Sequence, residues 1–174
     1  MSVKPLLGLE SGVVRVVPYN AKWPELFRIE AERLSSTLAP LGVTLEHTGS
    51  TSVPGLAAKP ILDILAGYDD RSLLPKIIAA LVDAGYIHRG EQGIAGREFF
   101  RRGDPRSHHI HLAQRNGTFW NDHLKFRDAL RADDKLRDEY AALKTQLAQR
   151  FPRNREAYIE AKTEFVCEVI SRAY

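Results

Sequence analysis

The segment Pro60–Tyr68, PILDILAGY, is apolar on both faces of an extended chain except at Asp63. Continuous apolar runs of this kind belong to strands covered on both sides rather than to strands with one wet face. A carboxylate inside such a strand is costly to desolvate unless it meets a partner or a ligand. The stretch leading into it, EHTGSTSVPGLAAK, puts Gly49-Ser50 after the alternating pattern Val43–His47, then adds Thr51, Ser52 and Gly55. A turn of this composition can aim backbone N–H groups and hydroxyls at one anion.

Around this centre the apolar spacing predicts the remaining elements. Val13–Val17 has strand composition and is stopped by Pro18. A helix follows, with Pro24 in its first turn, Leu26, Ile29, Leu34 and Leu38 at helical spacing, and Pro40 and Gly42 at its end. A shorter helix carries Leu74, Ile77, Ile78 and Leu81 and closes at Gly85. Arg97–Gly103 and Ser107–Gln114 read as extended. From Thr118 onward three segments show a 3.6-residue apolar period. Strands early and helices late predict an α+β fold, a mixed sheet with helices packed on it. The expected organisation is a loose lead-in over residues 1–12 and one domain over 13–174, helical from 118 to 174.

A hydrophobic fraction of 44% supplies a sizeable core for 174 residues. The formal charge of +3 favours phosphate-bearing small molecules but falls short of a nucleic-acid footprint, so nucleic acid is not an expected partner. Cys167 is the single cysteine, which excludes a disulfide framework. Neither a secretory leader nor a membrane-length apolar run is visible, and a cytoplasmic protein is expected.

A hydroxyl-lined cradle beside a strand carboxylate suits phosphoryl or nucleotidyl transfer: the cradle holds phosphate while the acid holds a divalent cation. Lys59 could add a point charge to the same anion. In HHIHL, His109 and His111 share one face of a strand, and both are metal-ligand and proton-shuttle types. With Glu98 as a further carboxylate, Asp63, His109 and His111 would suit a single transition metal as readily as magnesium. Arg97 and Arg101 alternate onto one face with Phe99, Arg127 follows His123 by about one helical turn, and Lys144 and Lys162 stand at helical positions; some of these cations could bind a polyphosphate or an acidic acceptor. Each feature also has a purely structural account: Asp63 paired with an arginine, hydrogen-bonded strand histidines, Arg127 paired with Asp128, and Lys144 and Lys162 on polar helix faces. Trp23 and Trp120 read as packing residues. A histidine-triad signature is excluded, because position 113 is Ala.

The pieces VVPYNAKWPELF, EHTGSTSVPGLAAKPILDILAGY, GREFFRRG, HHIHL, HLKFRDALR, EYAALKTQLAQRFP and REAYIEAKTEFV together resemble the GrpB family, over roughly Val16 to Val166. The resemblance implies the fold of nucleotidyltransferases related to DNA polymerase beta. It implies a nucleoside triphosphate as substrate, a divalent metal (magnesium or a transition metal), and nucleotidyl transfer to a small-molecule acceptor. Asp63, His109 and His111 would then be catalytic. Gly49, Ser50, Thr51, Ser52, Lys59, Arg97 and Arg127 would hold phosphate, and Asp63, Glu98, His109 and His111 the metal. The chain departs from the superfamily pattern at one point. Two acids one residue apart should lie on one strand face, but the neighbours of Asp63 on its face are Ile61 and Leu65. The alternative is a non-catalytic phosphometabolite-binding or accessory module that keeps the fold.

Overall fold

The computed structural model describes residues 6–173. Its strands β1 (Thr44–Thr48), β2 (Leu62–Tyr68), β3 (Ile87–His88), β4 (Glu98–Arg102) and β5 (His108–Gln114) form one sheet in the order β1-β2-β5-β4-β3. Every pairing is antiparallel except β2 with β5, which run parallel and set Asp63 directly opposite His109. The α+β architecture expected from the chain is the one observed.

Alternation along β2 divides its side chains between two layers. Ile64, Ala66 and Tyr68 face one way and join Phe100, Ile110 and Leu112. Helices α1 (Trp23–Leu38) and α2 (Leu74–Asp83) cover this side through Leu34, Leu38, Ile77 and Leu81. Asp63 and Gly67 face the other way, toward α3 (Thr118–Ala132), α4 (Asp134–Arg150) and α5 (Arg155–Arg172). Gly67 is required there: a Cβ at this position would lie 2.5 Å from the Trp120 ring. Both tryptophans pack as expected, with Trp23 fully buried and Trp120 nearly so.

On the α1 side lies a buried ionic knot. Glu30 accepts from Arg33 Nη2 at 2.7 Å, Arg102 Nη2 at 2.8 Å and the Tyr86 hydroxyl at 2.7 Å. Burial alone would raise the Glu30 carboxyl, but these donors hold it below its ordinary range.

Three expectations differ from the structure. Val13–Val17 is not a strand; its backbone makes one isolated bridge, Val17 to Ala58. Val14 instead buries against Leu147 and Tyr158, while its N–H donates to the Pro152 carbonyl, so the segment straps the C-terminal helices. Residues 1–5 of the expected lead-in lie outside the described residues. The rest is anchored, with Leu9 fully buried and bridged to Arg106, and the Gly8 N–H on the Pro60 carbonyl at 2.8 Å. The two-residue β3 was not anticipated. Among the described residues, no helix is long and apolar enough to cross a membrane.

Candidate functional site

The Gly49-Ser50 turn exists in this form because of Asp63. Gly49 has φ of +68°, and a Cβ there would come within 2.6 Å of Asp63 Oδ2 and 2.9 Å of its Cβ. Only glycine meets both demands cheaply. The carboxylate's other oxygen, Oδ1, lies 3.3 Å from His109 Nδ1 and 3.3 Å from His111 Nε2. Burial pushes the Asp63 carboxyl up, but the two imidazoles outweigh it and hold the group well below its ordinary value. His109 is pushed down by burial more than Asp63 raises it, so its ring is neutral near pH 7. Arg97 Nη1 lies 3.4 Å from His111 Nδ1. A guanidinium only donates, so Nδ1 accepts and the Nε2–H of His111 faces Asp63.

Above this floor opens a cavity of about 620 Å³, walled by α3, α4 and α5. Its cations are unusual in their partners. Lys144, only 2% exposed, donates to Ser50 Oγ at 2.8 Å and to the Ala57 carbonyl at 2.5 Å, with the Tyr140 ring centred 4.8 Å away. Lys59 and Lys162 both approach the buried Tyr158 ring, at 5.3 Å and 4.5 Å from its centroid. Among the described residues no lysine of this group has a carboxylate within salt-bridge distance. Burial, then mutual repulsion with neighbouring cations, lowers Lys144 well below its ordinary value. Lys162 is lowered to about 7, by burial and then by Lys59. Lys59 is lowered to about 8, chiefly by burial, with Asp63 pulling it back up and Arg155 and Arg106 adding smaller downward pushes. Arg155 lines the same cavity, and the Nε atoms of Arg97 and Arg155 are buried without a hydrogen-bond partner.

The sequence candidates divide accordingly. Asp63, His109, His111, Gly49, Ser50, Lys59 and Arg97 all meet at the cavity. Thr51 also lines the cavity, but its Oγ1 pairs with His47 Nε2 of β1 at 3.0 Å, and Ser52 Oγ is spent within the turn, donating to the Gly49 carbonyl at 2.6 Å. Arg127 reaches the cavity wall but is held by Glu46 at 2.8 Å and Asp128 at 2.7 Å. Glu98 is not brought to the site. It points to the opposite side of the sheet from Phe99 and pairs with His88 at 2.6 Å. Lys144 and Lys162, which the sequence leaves between solvated helix faces and an anion site, face the cavity. Arg155, Tyr140, Tyr158 and His123 were missed. The available signal was periodicity: Tyr140, Lys144 and Leu147 form the buried stripe of α4, and Lys162 follows Tyr158 by one turn of α5.

These residues do not fit the paired-metal arrangement. Ile61 lines the cavity where a second strand acid would stand. Both imidazoles are turned onto Asp63, and among the described residues no three histidine, cysteine or acidic side chains are grouped to hold a metal ion. The surplus of charge is positive, which suits an anion.

The family model described as GrpB protein matches residues 13–172. UPF0157 protein YqkA of Bacillus subtilis is 40% identical over 154 residues, covering 88% of this chain but 45% of its own length. The chain thus spans under half of that relative. Glutamate-rich protein GrpB of Alkalihalophilus pseudofirmus is 32% identical, over 95% of this chain and 99% of its own. The crystal structure of conserved protein GrpB from Enterococcus faecalis superimposes with a TM-score of 0.83 at 36% identity, covering 91% of this chain and 96% of that one. The fold alone is shared with the Cid1 poly(U) polymerase bound to MgATP, at a TM-score of 0.56 and 15% identity over 78% of this chain and 45% of Cid1. The architecture is therefore nucleotidyltransferase-like, and the chain belongs to the GrpB family.

Proposed function

We propose that the cavity binds a phosphate-bearing small molecule, its phosphates among Lys59, Arg97, Lys144, Arg155 and Lys162 and its organic part against the apolar wall of α3 and α5. The observation that carries this reading is the set of cavity lysines, Lys144 buried and Lys59 and Lys162 half-buried, whose partners are tyrosine rings, a hydroxyl and a carbonyl rather than carboxylates. Buried cations without counter-charge are unfavourable, and an anion relieves several at once. Ser50 Oγ, already touching Lys144, stands where it can donate to the same phosphate. Phe126, Leu130, Val166 and Ile170 line the apolar side, which favours an ester over bare phosphate. Likeness of fold to a polymerase crystallised with MgATP supports nucleotides as the first class to try. The test is calorimetry against a panel of nucleoside mono-, di- and triphosphates and sugar phosphates. Saturable binding that Lys162→Met weakens is expected; heat from no member of the panel ends the proposal.

Nucleotidyl transfer to a small-molecule acceptor is the second reading. Its support is the fold shared with a polymerase crystallised with MgATP and the Asp63 carboxylate on the cavity floor. The divalent metal implied by the fold has a single strand carboxylate to meet it, so binding without turnover is the better-supported reading. Mass spectrometry of nucleotide–acceptor mixtures separates the two: new product that vanishes in Asp63→Asn establishes transfer.

A further inference from the structure

In nucleotidyl transfer the charge of the phosphates is ordinarily met by metal ions held on paired acids. Here the place of the second acid is taken by Ile61, and the Asp63 carboxylate, 30% exposed at the cavity, is already shared by two imidazoles. Oδ1 faces His109 and His111 at 3.3 Å, and Oδ2 lies against Gly49, where a Cβ would come within 2.6 Å of it. A cation binding Oδ1 would have to compete with the two imidazoles.

The positive charge has moved to the helices. Lys59 and Lys162 flank one tyrosine ring; Lys59 weakens the hold of Lys162 on its proton, and Arg155 lowers both. Arg97 is 7% exposed, with its Nε buried and unpartnered, and Arg155 Nε is unpartnered as well. Asp63 and Asp122 are the acids lining the cavity, and Asp63 is engaged by the imidazoles. This cluster would repel a magnesium ion and attract the anion that magnesium normally accompanies.

Resting on the proposed function above, we infer that the cavity takes an oligophosphate ester free of divalent cation, with Lys59, Lys162 and Arg155 supplying the counter-charge that a metal pair supplies in active members of the fold. The ligand class is thereby narrowed to species that carry several phosphate charges and an organic part, bound as the metal-free anion. Asp63 then acts against the ligand's charge: it fixes the histidines and the Gly49 turn rather than coordinating a cation.

The experiment is calorimetric titration of the full chain with ATP and with inorganic tripolyphosphate, each in excess EDTA and in excess magnesium. Binding in EDTA at least as tight as in magnesium is expected, with Lys162→Met weakening it by about tenfold or more. Asp63→Asn should bind as tightly as the parent or more tightly. Binding that appears only with magnesium and is lost in Asp63→Asn overturns the inference while leaving the proposed function standing. Binding of neither probe in either buffer removes both. The two-buffer comparison uses the unaltered protein, so it decides the matter even if a variant fails to fold.

Discussion

Anion binding to this cavity should be coupled to protons, and Lys162 sets the size of the coupling. Its ammonium titrates near 7 in the free protein, because burial and the adjacent Lys59 disfavour the charge. An anion favours the charged form, so the complex holds more protons than the free protein above that pH. Affinity must then fall as pH rises. If the bound ammonium stays charged, the loss from pH 7 to pH 9 approaches the drop in protonated fraction, roughly 50-fold for Lys162 alone by the linkage relation. Lys59, titrating near 8, works in the same direction. The window suits the measurement, since a terminal phosphate with a second pKa near 6 is about nine-tenths ionised at pH 7 and changes little above it. Titrations with ATP at pH 7, 8 and 9, in buffers of differing ionisation enthalpy, read both affinity and proton uptake. Lys162→Arg, which stays charged throughout, should flatten the profile. Affinity constant to within about twofold over this range, with no proton uptake, would refute the reasoning from buried lysines.

Other perturbations test the scaffold. Gly49→Ala should cost about 1–3 kcal/mol in denaturant unfolding, since it forces a left-handed backbone and a Cβ against Asp63 Oδ2. Gly67→Ala should destabilise by about 1–3 kcal/mol through overpacking on Trp120, with a shift in tryptophan fluorescence. Glu30→Gln should cost about 3 kcal/mol, because Arg102 loses its carboxylate. The contribution of Glu30 is complete above the ordinary carboxylate range and is lost as acid titrates the group below it, so the variant should flatten the acid limb of a stability–pH curve.

Much of this architecture was legible from local pattern. The unbroken apolar run of β2 and the spacing of Ile77 and Leu81 on α2 follow from burial, and period reports burial directly. Val13–Val17 misled because its strand composition serves a tertiary demand, the cover of Leu147 and Tyr158. At the site, alternation was enough to put His109 and His111 on one face. Glu98 required the register between β4 and β5, which pairs Phe99 with His111 and so turns Glu98 away. Lys144 and Lys162 were obscured by their own chemistry. A charged residue on an amphipathic helix reads as solvent-facing, even at a core position, unless its charge has been assigned a task.

The single parallel pairing of the sheet has a temporal consequence. His111 lies 48 residues beyond Asp63, and Lys144 lies 94 beyond Ser50, so no nascent fragment carrying the acid alone can build the binding floor. Contacts this distant in the chain form late and slowly. Acquisition of ligand affinity during refolding should therefore coincide with completion of the whole molecule, making a bound phosphate compound a reporter of finished folding rather than an early organiser of it.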